Sequence, residues 1–369
     1  MKKILFLNRN CLLDPLLQEL VKNTEVVALQ NKVRTEATLE SVRVVPVRYC
    51  AESINYFVNR VLGKQISIPI YIKDFQRIVF QEMPDIIVAF DIHHFSFGQA
   101  MAYKKKHPAV QIVLLSELKA FPNQSLSRLI FPVFWRKFTN NMALLDAVGV
   151  FTIQGQQFFS THVPDLITSI VTVPIDTERF RPTLDKTWLP DGILRILINA
   201  RYASYKRHDD LFQALVQLQK QGKRFHLTSI GRSESSHNKV RQRVAQLGLQ
   251  ERVTFLDSVP HSRMIGIYHQ NDVLVLPSYN EAIGMVVPEA MACGLPTITS
   301  DTVGANVYVK EGDTGLIFET YSVMSLARCL NECHNKQRLE QMGTKARLLV
   351  EEQFTKEILQ QKFEKFLLN

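Results

Sequence analysis

Residues 272–300 read DVLVLPSYNEAIGMVVPEAMACGLPTITS. Asp272–Pro277 is a short apolar run suited to a buried strand, and Pro296–Thr299 is a second one. Between them, Gly284 and then Pro288 suit the N-terminus of a helix, where a missing proline N–H costs nothing and the first-turn amides have no partner within the helix. Strand, turn, helix, strand is the signature of a βαβ unit with parallel strands. Outward from this unit the alternation continues through the chain. In the second half strands are predicted at Leu194–Asn199, His226–Ile230, Val253–Leu256 and Gly315–Phe318. In the first half they are predicted at Lys3–Leu7, Glu25–Leu29, Val42–Pro46, Asp85–Phe90, Gln111–Leu115 and Ala147–Thr152. The fold class is therefore α/β, each half resembling a doubly wound parallel sheet.

The chain has 369 residues, 46% hydrophobic and 21% charged, too long for one ordinary domain and too apolar for disorder. Asp176 to Gly192 holds Pro182, Pro190 and several polar residues, the composition of a connector, which puts a boundary near residue 185. Only four of the 15 glycines precede this connector, so close backbone approach to a ligand is expected in the second half.

The net charge is +9, with 22 basic against 16 acidic residues up to Lys186 and 22 against 19 after it. This balance favours anionic ligands, but no nucleic-acid recognition motif accompanies it, and no nucleic-acid partner is expected. Five cysteines, Cys11, Cys50, Cys293, Cys329 and Cys333, contain no Cys-x-x-Cys pair, which suits a reducing compartment and no metal site. No apolar run reaches the ~18 residues that cross a bilayer, and the opening residues lack a cleavable signal pattern. The expected location is cytoplasmic. Residues 126–138 mix large apolar groups with Arg128, Arg136 and Lys137. They read either as packing with snorkelling basic ends or as peripheral contact with the inner face of the plasma membrane.

In a doubly wound sheet the site forms where strands end and loops lead into helices. After Leu194–Asn199, the loop carries Arg201 and Lys206; after Asp272–Pro277, it carries Glu281, Gly284 and the helix start. Two cations beside a glycine-led helix N-terminus suit a diphosphate. Glu281 and Glu289 suit the donating hydroxyls of a ribose or hexose. Gly-x-Gly and the P-loop pattern are absent, which weakens a dinucleotide or nucleotide triphosphatase reading.

These segments together resemble the family 4 retaining glycosyltransferases of the GT-B fold. The resemblance runs through Asp146–Val150, Val173–Pro182, Arg201 with Lys206, Asp272–Ser278, Glu281–Pro296 and Gly312–Gly315. It implies two Rossmann-like domains facing a cleft. Residues 1–183 would bind the acceptor and 184–350 the donor, with 351–369 a helix crossing back to the first domain. It also implies that Arg201 and Lys206 neutralise the donor diphosphate and that Glu281 meets the transferred sugar. Glu289 would hold the ribose, and Ile283, Gly284, Met285, Val286 and Gly231 would complete the donor pocket. The donor would be a UDP-, GDP- or ADP-sugar, with no further cofactor. The acceptor would be a cell-surface polysaccharide, lipopolysaccharide or lipid-linked glycan. Glycosyltransferases of the other common architecture resemble one another in an Asp-x-Asp motif that holds a divalent cation; none occurs here, so metal-independent chemistry is expected.

The first half departs from that pattern. The first strand runs into Asn8 to Pro15 without a glycine, leaving Asn10 or Arg9 to touch the acceptor, or a plain turn. Ser116-Glu117-Leu118 stands where many relatives place a histidine, making Glu117 a substitute candidate, and His93 or His94 could face the acceptor or simply pack. A non-catalytic nucleotide-sugar-binding protein and a sugar-nucleotide epimerase of the same fold are the alternatives.

Overall fold

The computed structural model describes residues 1–7, 13–31, 42–47, 49–50, 71–90, 95–117, 142–231, 237–279 and 281–368. The chain forms two compact units, Met1–Val173 with Leu359–Asn369, and Pro174–Ile358.

The first unit is built on β1 (Lys3–Phe6), β2 (Glu25–Asn31) and β3 (Arg43–Val47), with β4 (Tyr49–Cys50) and β5 (Tyr71–Ile72) forming a separate antiparallel pair. It continues with β6 (Ile86–Phe90), β7 (Gln111–Ser116), β8 (Ala147–Val150) and β9 (Ile167–Ile170). The main sheet has the order β3-β2-β1-β6-β7-β8-β9, and the pairings are parallel. Every residue of β6 and β8 is buried, as expected for central strands covered by helices on both faces.

The second unit holds β10 (Leu194–Asn199), β11 (Phe225–Ile230), β12 (Val253–Leu256), β13 (Val273–Leu276), β14 (Thr297–Ser300) and β15 (Gly315–Phe318). Their order is β12-β11-β10-β13-β14-β15, again parallel. Helix His208–Lys220 buries Leu211, Phe212, Ala214, Leu215 and Leu218, a stripe at helical spacing, in the core with Ile196, Ile198 and Leu227. Ser322 and Asn335 cap the helices Val323–Glu332 and Lys336–Gln353 through their side-chain oxygens.

One device recurs at the starts of the strands. Asp85 accepts the Lys3 amide at 2.7 Å, Asp146 the Ile112 amide at 2.6 Å, and Asp272 the Arg195 amide at 2.9 Å. Each carboxylate latches a neighbouring strand at an amide of its own first or second residue. Asp272 is fully buried and also takes Arg195 Nε and Nη2 at 3.1 and 2.8 Å. Burial of a carboxylate is tolerable only with such complete pairing. Lys186 reinforces this end by donating to the carbonyls of His269 and Asn271, while burial pulls its ammonium down to about 8.

The connector falls differently from expectation. The units divide after Val173, ten residues ahead of the predicted 183/184 boundary, because Arg347 straps the connector to the second unit. Its guanidinium donates to Phe180 O at 2.7 Å, Thr177 O at 3.1 Å and Ala292 O at 2.8 Å, and Ile175 N–H bonds Phe354 O. At the other end, helix Lys356–Leu368 passes into the first unit at Leu359, later than the predicted 350/351 division. There Gln360 donates to Pro15 O and Asn23 to Glu364. β9 and the β4–β5 pair were not among the predicted strands.

Gly343 sets the packing of helix Lys336–Gln353. A methyl group there would overlap the Gly294 carbonyl and come within 3.1 Å of Trp188. Gly343→Ala should therefore lower stability by roughly 1–3 kcal/mol, read as a drop in the urea midpoint. An unchanged midpoint would contradict this packing.

Candidate functional site

Strand order reverses in the second unit between β10 and β13, so the loops leaving these neighbours diverge and open a crevice at their C-terminal ends. The corresponding reversal in the first unit lies between β1 and β6. The loops that follow those two strands, with the candidates Asn10 and His93, lie outside the described residues, as does the basic aromatic stretch 126–138. Glu117 follows β7 and is half-buried.

After β10 the chain makes a 3₁₀ turn at Ser204–Lys206, and Arg207, at φ 54°, starts the helix His208–Lys220. The N-cap is thus Arg207. Arg207 grips Asp210 with Nε and Nη2 at 2.8 and 2.6 Å, and Asp209 accepts from Arg243 and Gln213. Both carboxylates sit in the first turn, where the helix dipole favours them.

Lys206 Nζ forms an ion pair with the Glu281 carboxylate, and the two side chains are only 12% and 20% exposed. Arg201 is exposed and donates to Tyr205 Oη at 2.8 Å. Lys206 Nζ lies 5.4 Å from the centre of the same Tyr205 ring, so one tyrosine joins the two cations. The Tyr279 amide bonds the Tyr205 carbonyl at 3.0 Å, fastening the loop after β13 to the loop after β10.

The Glu281 loop is held from its other side. Gly304 N–H donates to Glu281 O at 2.8 Å, Ser300 Oγ to Ser278 O at 2.5 Å, and Asn306 Nδ2 to Ser300 O at 2.9 Å. Gly284 takes φ +61°, and a side chain there would crowd Ala305, Leu276 and the Glu281 Cγ within 3.2 Å. The glycine is needed on both grounds. Helix Val286–Ala292 follows with Met285 as N-cap. Among the described residues, no backbone carbonyl accepts from the amides of Ile283, Gly284, Met285 or Val286. These half-buried donors lie on the loop that carries Glu281.

Glu289 is 8% exposed and both of its oxygens are engaged. Tyr268 Oη donates to Oε2 at 2.7 Å, and His261 Nε2 lies 2.9 Å from Oε1. Burial, then the nearby carboxylate, pushes the Tyr268 phenol well up, so it remains a donor. Neither partner was recognisable in the sequence, because both reach Glu289 only through tertiary packing. Gly231 follows β11 and faces the loop after β10. A Cβ there would stand 2.5 Å from Ala200 O and 2.9 Å from the Tyr202 ring, so the missing side chain makes room for the loop after β10.

His208 lies beneath this loop, 6% exposed, edge-on to Tyr202 at 5.0 Å. Burial pulls its pKa down to about 4, against a hydrogen bond to Ala200 O that favours the charged form. The folded protein thus keeps this imidazole neutral where the unfolded chain, near 6.5, becomes protonated. Stability tied to His208 is fully present above about pH 6.5 and is lost as pH falls from there towards 4. At pH 5 the loss relative to pH 7 should be roughly 2 kcal/mol. His208→Phe should flatten the denaturation midpoint over that interval, whereas the same slope in both proteins would contradict a neutral buried ring.

Residues 184–349 match the family model described as glycosyl transferases group 1. Over 103 residues the chain is 37% identical to the D-inositol 3-phosphate glycosyltransferase of Nocardia farcinica (strain IFM 10152), an alignment covering 28% of this chain and 23% of that protein. The chain therefore spans only about a quarter of that relative's length. Among solved structures, sucrose-phosphate synthase from Thermosynechococcus elongatus superposes with a TM-score of 0.73 at 17% identity, over 99% of this chain and 98% of that one. The Anabaena protein Alr3699/HepE in complex with UDP does so with a TM-score of 0.71 at 16% identity, over 100% and 99%. The chain has the GT-B fold, and most of its second unit matches the glycosyl transferases group 1 model.

Proposed function

We propose that this protein is a retaining, metal-independent glycosyltransferase that moves a sugar from a nucleotide-diphosphate sugar to a glycan or glycolipid acceptor. What supports this reading is the ion pair of Lys206 with Glu281, on loops that leave the two strands at the order reversal of a family-matched unit, with the amides of 283–286 on the Glu281 loop. Breaking the anomeric C–O bond builds negative charge on the departing diphosphate. Fixed cations and amides aimed at that charge lower the barrier most in a site shielded from water. Lys206 and Arg201 would take the phosphate oxygens, the amides the remaining ones. Lys206 would then exchange its Glu281 partner for phosphate, leaving the Glu281 carboxylate to accept from hydroxyls of the transferred sugar. Glu289, held rigid by Tyr268 and His261, retains a lone pair on each oxygen for ribose hydroxyls. The UDP bound to the Anabaena protein of the same fold makes UDP-sugars the first donors to test, ahead of GDP- and ADP-sugars. The relatives named for D-inositol 3-phosphate make a phosphorylated polyol a further acceptor to include.

A donor panel incubated with acceptor extracts should release nucleoside diphosphate from one donor class, with or without chelator. Lys206→Ala should lower that release by about 100-fold or more while thermal unfolding stays close to the parent's. Release at the parent's rate would remove Lys206 from the mechanism, and the anomeric configuration of the product by nuclear magnetic resonance would decide retention.

A further inference from the structure

Two large side chains stand out on the surface of the second unit beside the Lys206–Glu281 pair. Tyr279 is 36% exposed and Tyr321 59%, and their rings lie 5.7 Å apart at an angle of 33°. The Arg207 guanidinium sits 4.7 Å from the centre of the Tyr321 ring. Tyr279 is tied by its amide to Tyr205, the residue that precedes Lys206. The loops after β13 and β15 therefore present a pair of aromatic rings, covered on one side by Arg207 from the loop after β10, next to the proposed donor pocket.

Backbone conformation sets this surface apart. Arg207 and Tyr321 both occupy the left-handed region, at φ 54° and 68°, where an L side chain meets its own carbonyl and glycine does not. The exposed Tyr321 ring recovers little by burial. A strained, exposed aromatic held beneath a cation is a reason to look for a function outside folding. The weakly positive C–H face of a pyranose stacks on the negative face of a phenol ring, and two tilted rings side by side offer about the area of one sugar. Polar groups border the surface: Asp301 accepts from the Thr320 amide at 3.1 Å, and the hydroxyls of Thr302 and Thr320 lie 2.9 Å apart. The nucleoside has a separate candidate location at Glu289, whose partners His261 and Tyr268 come from other elements.

We propose that Tyr279 and Tyr321 form a saccharide subsite that stacks a pyranose ring of the acceptor, the second unit thereby contributing to acceptor binding. This inference rests on the glycosyltransferase reading above, and its test is separable from that reading. Saturation-transfer nuclear magnetic resonance on the full chain would use the methyl glycosides of glucose, galactose, mannose and N-acetylglucosamine, each with and without saturating UDP. At least one glycoside should receive saturation at its ring C–H protons with UDP present. The signal should fall at least fivefold in Tyr279→Ala and in Tyr321→Gly. Because glycine adopts φ 68° without strain, Tyr321→Gly should also unfold at a higher temperature than the parent, so a loss of signal in it is not a loss of fold. The subsite is refuted if no glycoside is saturated, if both variants keep the signal, or if UDP abolishes it, the last marking a nucleobase platform instead. The donor reading is judged apart from this, by whether UDP, GDP or ADP raises the melting temperature of the parent.

Discussion

The geometry of the candidate site depends on one topological constraint, the reversal of strand order between β10 and β13. Neighbouring parallel strands hold each other in register along their length, yet their onward connections leave in opposite directions. The gap between those connections must be bridged by side chains or by a ligand. In this structure the bridge is the contact of Lys206 with Glu281, backed by the Tyr279 amide on Tyr205. At the opposite end of the same two strands, Asp272 and Arg195 make a fully paired, buried latch. One end is closed by saturated hydrogen bonding, while at the other, among the described residues, no backbone carbonyl accepts from the amides of 283–286. That contrast separates a structural ion pair from one that can exchange partners.

Buried polar groups of the second unit serve the crevice at a distance from its rim. Tyr268 and His261 fix the carboxylate of Glu289, and neutral His208 supports the loop bearing Arg201 and Lys206 through Ala200. The small residues serve it sterically. Gly231 admits the Ala200 carbonyl, and Gly284 takes a left-handed turn packed too closely against Ala305, Leu276 and Glu281 for a side chain. A side chain at either position would shift the loops that carry charge, so their influence on binding would run through backbone placement.

Much of the fold was legible because buried parallel strands are short apolar runs that stand out against amphipathic helices. Leu194–Asn199, Val253–Leu256 and Gly315–Phe318 form strands with the bounds their composition implies. β9 escaped notice because Ile167-Thr-Ser-Ile is an edge strand, half polar and exposed at both ends. The two-residue strands Tyr49–Cys50 and Tyr71–Ile72 carry no period at all. The connector was legible as a loop but not as part of the second unit, since that allegiance rests on Arg347, 165 or more positions away from the carbonyls of Phe180 and Thr177 it binds. In the site, residue type and loop position singled out Lys206 and Glu281. The partners of Glu289, the left-handed turn at Arg207 and the pairing of Tyr279 with Tyr321 were not legible, because each depends on which loops the sheet brings together.

The central claim is that Lys206 gives up Glu281 for the phosphates of a nucleotide. Calorimetric titration of the parent, Lys206→Ala and Glu281→Ala with UDP, GDP and ADP tests it most directly. The account predicts that one nucleotide binds the parent, that Lys206→Ala weakens it by about tenfold or more, and that Glu281→Ala leaves it equal or tighter because the lysine no longer has a competing carboxylate. Equal affinity of that nucleotide for the parent and Lys206→Ala would contradict the account.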